Sequence, residues 1–155
     1  MTRSGEKSGC AFASNVIDLS AFRFRRSVAR PFVVFYISHM GQWLELLSSF
    51  HGATVHLVNS LTLFDQKMGL VVPDLVFVES HLSWAEPVEV VGRLYQKFGV
   101  PIVMICEEGT RNRQTIKDAY SSGACDTLFS PLQKDEVAET LEVLLKFRRH
   151  ALRYH

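Results

Sequence analysis

Pro73-Asp74-Leu75-Val76-Phe77-Val78-Glu79 and, after a helical interval, Val100-Pro101-Ile102-Val103-Met104-Ile105-Cys106 decide how this chain folds. Each holds a continuous apolar run, and a strand that is apolar on both faces belongs inside a sheet covered on both sides. The interval between them, Pro87 to Phe98, reads as a helix with Pro near its first turn and Gly99 just past its end. Asp74–Val78 and Pro101–Ile105 are therefore expected to be the third and fourth strands of a parallel sheet.

Working outward, the same alternation continues in both directions. Upstream, Phe32–Ile37 is an unbroken run of aromatic and β-branched residues and reads as strand one. Gly41–Phe50 carries the helical stripe Trp43, Leu44, Leu46, Leu47 and Phe50, closed by Gly52. Ala53–Val58 reads as strand two, and Leu61–Met68 as a short helix stopped by Gly69. Downstream, Thr110–Ser121 is a more polar helix ended by Gly123, and Cys125–Phe129 is strand five. A long helix follows from Lys134 to about Arg149 or beyond. Five strands alternating with five helices predict an α/β fold, a flavodoxin-like doubly wound five-stranded parallel sheet with helices on both faces. Right-handed crossovers favour the order 2-1-3-4-5. In such sheets function gathers at the carboxyl ends of the strands.

The totals bound the rest. The chain has 155 residues and is 47% apolar, enough for one domain and a tail. Residues 1–29 are expected to be a flexible N-terminal tail, 30–147 the domain, and 148–155 an extension of the last helix. Within the tail, Val16, Ile17, Leu19, Phe22 and Phe24 form an arm that packs either on the domain or on a partner. A formal charge of +1 sets up no field that points to nucleic acid or a membrane. Arginines and lysines gather near the two ends, which reads as solvated surface. Three cysteines without finger spacing argue against a disulfide framework. No apolar stretch reaches the roughly 18 residues of a membrane span, and no signal-peptide core opens the chain. The expected setting is cytoplasmic.

The residues also resemble a family. Pro73–Glu79 looks like the response-regulator receiver segment that ends in a phosphorylated aspartate. Val100–Cys106 is similar to the fourth strand, which normally ends in Thr or Ser. Gly123-Ala124 with Leu128-Phe129-Ser130-Pro131 resembles the stretch through strand five, and Glu45-Leu46-Leu47 fits the first helix. The resemblance covers about residues 31–147 and implies a bacterial signalling or regulatory protein of a two-component system. The functional positions depart from the pattern. Where the family has a pair of acids that hold Mg²⁺, this chain has Ser38 and His39. Glu79 replaces the acceptor aspartate, Cys106 the Thr or Ser, Ser130 the lysine, and Thr127 the switch aromatic. Phosphoryl transfer is mostly positioning and charge neutralisation, and these replacements remove the groups that supply both. The resemblance thus implies a dismantled phosphorylation pocket, a pseudo-receiver without cofactor or enzymatic activity that works by protein–protein interaction.

The same positions also admit other chemistries. Glu79 either imitates a phosphorylated state or is a solvated acid at a strand end, and the second is the plainer reading. His39, Glu79, His81 and Cys106 are plausible metal ligands, but the fold alone would bring any four such positions together. Cys106 is a redox switch only if its thiolate is favoured, which Glu107 and Glu108 oppose; otherwise it is a small buried hydrophobe. Ser38-His39-Met40-Gly41 is no phosphate loop, and nothing frames a nucleophile elbow. An unconventional phospho-switch and a ligand or metal sensor in the strand-end pocket remain the alternatives.

The last helix is expected to carry the interaction surface. Val137, Leu141, Leu144 and Leu145 form its apolar stripe, which runs on through Phe147, Ala151 and Leu152. Since receivers commonly pair through the face of the fourth helix, fifth strand and fifth helix, a homodimer through Val137, Leu141, Leu144, Ala151 and Leu152 is the expected assembly.

Overall fold

The computed structural model describes residues 32–153, with side chains as far as Leu144. The expected tail and its apolar arm lie outside the described residues, as do the side chains of Ala151 and Leu152. The elements run β1 (Phe32–Ile37), α1 (Leu44–Ser48), β2 (Ala53–Val58), α2 (Leu61–Leu70), β3 (Leu75–Glu79), α3 (Pro87–Phe98), β4 (Ile102–Cys106), a 3₁₀ turn (Glu108–Thr110), α4 (Arg113–Ser122), β5 (Asp126–Phe129) and α5 (Lys134–Arg153). The strands form one parallel sheet in the order β2-β1-β3-β4-β5, as the alternation of elements predicts.

Because side chains alternate across a strand, each central strand feeds two cores. Val33, Phe35 and Ile37 of β1 face one side with Val76, Val78, Ile102 and Met104, beneath α2, α3 and α4. Phe32, Val34 and Tyr36 face the other with Leu75, Phe77, Val103 and Ile105, beneath α1 and α5. The start of β1 is held by Asp74, a buried carboxylate whose Oδ2 accepts from the Val33 amide at 2.8 Å.

The element ends differ from the sequence reading where side chains or turns intervene. The first helix begins at Leu44 rather than Gly41, because Gly41 adopts φ +71 in a turn. The second helix runs through Gly69 to Leu70; a lone glycine costs a helix about 1 kcal/mol and does not end it. The fourth begins at Arg113 rather than Thr110, because the Asn112 side chain caps it by accepting from the Thr115 amide at 2.9 Å. Strands three, four and five each start one residue later than expected.

Candidate functional site

The carboxyl ends of β1, β3 and β4 and the loop after β5 enclose an open cleft of about 170 Å³. His39, Glu79, Cys106 and Ser130 line it together with Trp43 and Glu107. Ser38 and Thr127 are absent from its lining. Ser38 is fully buried beneath it, and Thr127 sits half-buried along β5, opposite Met104 of β4. The structure therefore brings four of the six pocket positions together.

Register explains what Glu79 does. Tyr36 lies opposite Phe77 in the β1–β3 pairing, and Glu79 follows Phe77 by two residues on the same face. The buried Tyr36 hydroxyl reaches this carboxylate and donates to its Oε2. The same hydroxyl accepts from the Trp43 amide at 3.1 Å, just before α1. One phenol thus ties β3 to the start of α1. Burial, and next the bond to Glu79, push the Tyr36 hydroxyl well above the usual tyrosine range, so it remains a protonated donor. Glu79 is therefore not the free solvated acid of the sequence reading: it is half-buried and already engaged within the domain.

The loop after β1 is held as firmly. Ser38 Oγ accepts from the Gly41 amide at 2.8 Å and closes the turn that gives Gly41 its positive φ. A side chain at Gly41 would also press on Leu57, whose Cδ2 stands 2.9 Å from where its Cβ would be. Two further bonds stitch this loop to the one after β3. Trp84 Nε1 donates to the Ser38 carbonyl at 3.2 Å, and Ser83 Oγ bonds His39 Nδ1 at 2.6 Å. Trp43 Nε1, also at the cleft, is buried without a hydrogen-bond partner.

Cys106 belongs to the core beneath α2, α3 and α4. Burial raises its thiol pKa, with a Ser80 hydrogen bond opposing; this, rather than the neighbouring glutamates, disfavours the thiolate. His39, Glu79, His81 and Cys106 all reach the cleft, yet among the described residues no three His, Cys, Asp or Glu side chains are placed to hold a metal ion. Among the described residues, no lysine or arginine lines the cleft.

The expected interaction residues require a correction. Val137, Leu141 and Leu144 are buried against the sheet in the domain's own core. They form the inner face of α5 and offer no surface to a partner. The sequence reading also missed Tyr36, because a tyrosine inside an apolar strand run reads as ordinary core. Its signal was the sheet register, which the sequence does not print.

No family model and no curated protein matches this chain. Solved structures do. It is similar to a two-component response regulator from Clostridium difficile, at 20% identity and a TM-score of 0.66, over 74% of this chain and 95% of that one. A response regulator receiver domain protein (CheY-like) from Methanospirillum hungatei JF-1 matches at 12% identity and 0.66, over 79% and 99%. The signal receiver domain of an HD domain-containing protein from Pseudomonas fluorescens Pf-5 matches at 20% and 0.67, over 78% and 99%. Sheet order, crossover helices and these likenesses agree: the chain has the fold of the response-regulator receiver domains.

Proposed function

We propose that this chain is a receiver-fold signalling module that accepts no phosphoryl group, catalyses no reaction, and acts in the bacterial cytoplasm by binding protein. The observation that carries this reading is the state of Glu79. At the position where a receiver presents its acceptor, the carboxylate is engaged by Tyr36, and among the described residues no lysine or arginine lines the cleft around it. Ser38, at a place where an acid would help hold a cation, is buried and closes a turn. A transferred phosphoryl group carries charge that must be neutralised by fixed cations, and these residues supply none. What the fold still offers a pathway is its surface.

The two tryptophans report on the site directly, since Trp43 lines the cleft and Trp84 bonds the Ser38 carbonyl. Titration with Mg²⁺ and beryllium fluoride is expected to leave their fluorescence unchanged, and acetyl phosphate is expected to add no phosphoryl mass to the intact protein. A saturable fluorescence change, or phosphoryl mass mapped to Glu79, would restore the phospho-switch reading and overturn this one.

A further inference from the structure

Among the described residues the sheet ends in β2 and β5, and the two edges are finished differently. β5 has four residues and opens on Asp126; shortness and charge both keep an exposed edge from pairing with other chains. β2 has six residues, Ala53–Val58, with no proline and no Lys, Arg, Asp or Glu among them. Its ladder with β1 runs unbroken from Phe32↔Ala53 to Ile37↔Val58, so no bulge turns this edge away. The ladder also fixes which backbone groups look outward. The Phe32 amide donates to the Gly52 carbonyl and the Ser38 amide to the Val58 carbonyl. By the parallel pattern, Thr54, His56 and Val58 direct their amides to β1. The Val55 and Leu57 amides, and the carbonyls of Ala53, Val55 and Leu57, therefore point away from the sheet. Ala53, Val55 and Leu57 also turn their side chains to the α1–α5 core, where they are half-buried. α1 has five residues and is about 7.5 Å long, too short to cover a strand of about 20 Å.

Upstream of β1 the sequence holds a segment with the complementary pattern. Ile17-Asp18-Leu19-Ser20-Ala21 alternates apolar and polar residues, the period of a strand with one covered face. Set antiparallel beside β2 with Leu19 opposite Val55, its apolar residues meet Leu57, Val55 and Ala53 on the half-covered side. The alternate positions match as well. Ser20 falls opposite Thr54, and Asp18 opposite His56, whose ring accepts from Lys67 Nζ at 2.9 Å. Among the described residues the ion pair is Arg93–Asp65, and Lys67 has none. Asp18 would supply its carboxylate. A parallel strand with Ile17 opposite Ala53 would set Asp18 beside Thr54 instead and leave Lys67 without an acid. The chain is long enough for the antiparallel arrangement. Residues 22–31 need only pass beneath β2 to reach Phe32, two strand spacings or about 9.6 Å away, and ten residues span up to about 33 Å.

We propose that residues 17–21 form a sixth strand, antiparallel on the outer edge of β2, with Leu19 opposite Val55. The added strand completes the cover of the α1 side and closes the edge against strands of other chains. The inference stands apart from the reading of the cleft, since none of its residues lines that site.

Amide hydrogen exchange on the full chain reads the alternation along β2. The Val55 and Leu57 amides are expected to be protected. Leu19→Pro removes a ladder donor and should speed their exchange about tenfold, the equivalent of one net hydrogen bond. The Thr54 and His56 amides, bonded to β1, should keep their rates. Cross-linking checks the register without disturbing the strand. Ser20 and Thr54 would form a non-hydrogen-bonded pair with Cα atoms about 4.5 Å apart, within disulfide range. In a C10S/C125S background, S20C/T54C should oxidise to a monomer bridged between residues 20 and 54. D18C/T54C, two residues out of register and about 7–8 Å apart, should bridge far more slowly. Free exchange at Val55 and Leu57 in the unaltered chain would overturn the inference, as would a Leu19→Pro effect that is absent or equal at all four amides. Equal bridging by the two cysteine pairs would do the same. So would a bridge formed only between chains, which would make the occupant a second copy.

Discussion

Replacing Tyr36 with Phe removes one oxygen and leaves two groups without their partner, the Glu79 carboxylate and the Trp43 amide. A hydrogen bond to a charged group contributes about 1.5–3 kcal/mol net, and the half-exposure of Glu79 lets water recover part of that. Tyr36→Phe is therefore expected to lower stability by about 1–2 kcal/mol, read as a shift in the urea midpoint at constant slope. Glu79→Gln should lose less, because an amide oxygen still accepts from the phenol. At this scale the sequence was only partly legible. The pocket positions could be named because the family resemblance aligns them with the ends of strands, which are marked by where the apolar runs stop, although Thr127 lies within β5. What each side chain touches depends on inter-strand register, and neither the Tyr36–Glu79 contact nor the turn closed by Ser38 leaves a trace in composition or period.

Elements were easier to read than their ends. Apolar runs fixed the strands to within a residue, and α3 matched at both ends because Pro87 and Gly99 mark its limits by backbone geometry alone. The ends that shifted were set by side-chain caps and turns, as at Asn112 and Gly41. For α5, the same apolar stripe that predicts a helix was also read as a surface, and burial separates the two meanings. Leu141→Ala should cost about 2–5 kcal/mol of stability, as a cavity in a core does, rather than change assembly at constant stability. Thermal or urea unfolding beside sedimentation distinguishes these outcomes. Between β2 and α2, Lys67 Nζ donates to His56 Nδ1 at 2.9 Å, which requires a neutral imidazole. Burial first, and then the Lys67 charge, hold His56 below its usual 6.5. A histidine with a depressed folded-state pKa contributes stability above its unfolded value and loses it as pH falls through the folded one. Stability should therefore decline as pH drops below about 6.5, and His56→Gln should flatten that slope in denaturation curves taken at several pH values.

For the whole molecule, the sheet order followed from sequence because continuous apolar strands, alternating with helices, admit few arrangements. The two cores share every central strand, so neither can melt while the other persists. Trp43 packs against the α1–α5 side and Trp84 against the opposite side, which makes each a reporter of one core. Single-tryptophan proteins, Trp43→Phe and Trp84→Phe, should each show unfolding by fluorescence that coincides with unfolding by far-ultraviolet circular dichroism. Separate transitions would mean that the faces unfold independently.

The buried Ser38 has a consequence for how this sequence can change over generations. An aspartate there would place a charge where no water reaches, even though its carboxylate could still accept from the Gly41 amide. Shortening Glu79 to aspartate would draw the carboxylate away from the Tyr36 hydroxyl. A lysine at residue 130 would, on its own, find Glu79 already engaged. Under the proposed reading, each single step towards a cation-binding, phosphoryl-accepting site meets a local penalty before any benefit appears, and the benefit needs several steps together. On that reading the present arrangement acts as a ratchet, and small changes refine the surfaces of this domain more readily than they build phosphate chemistry.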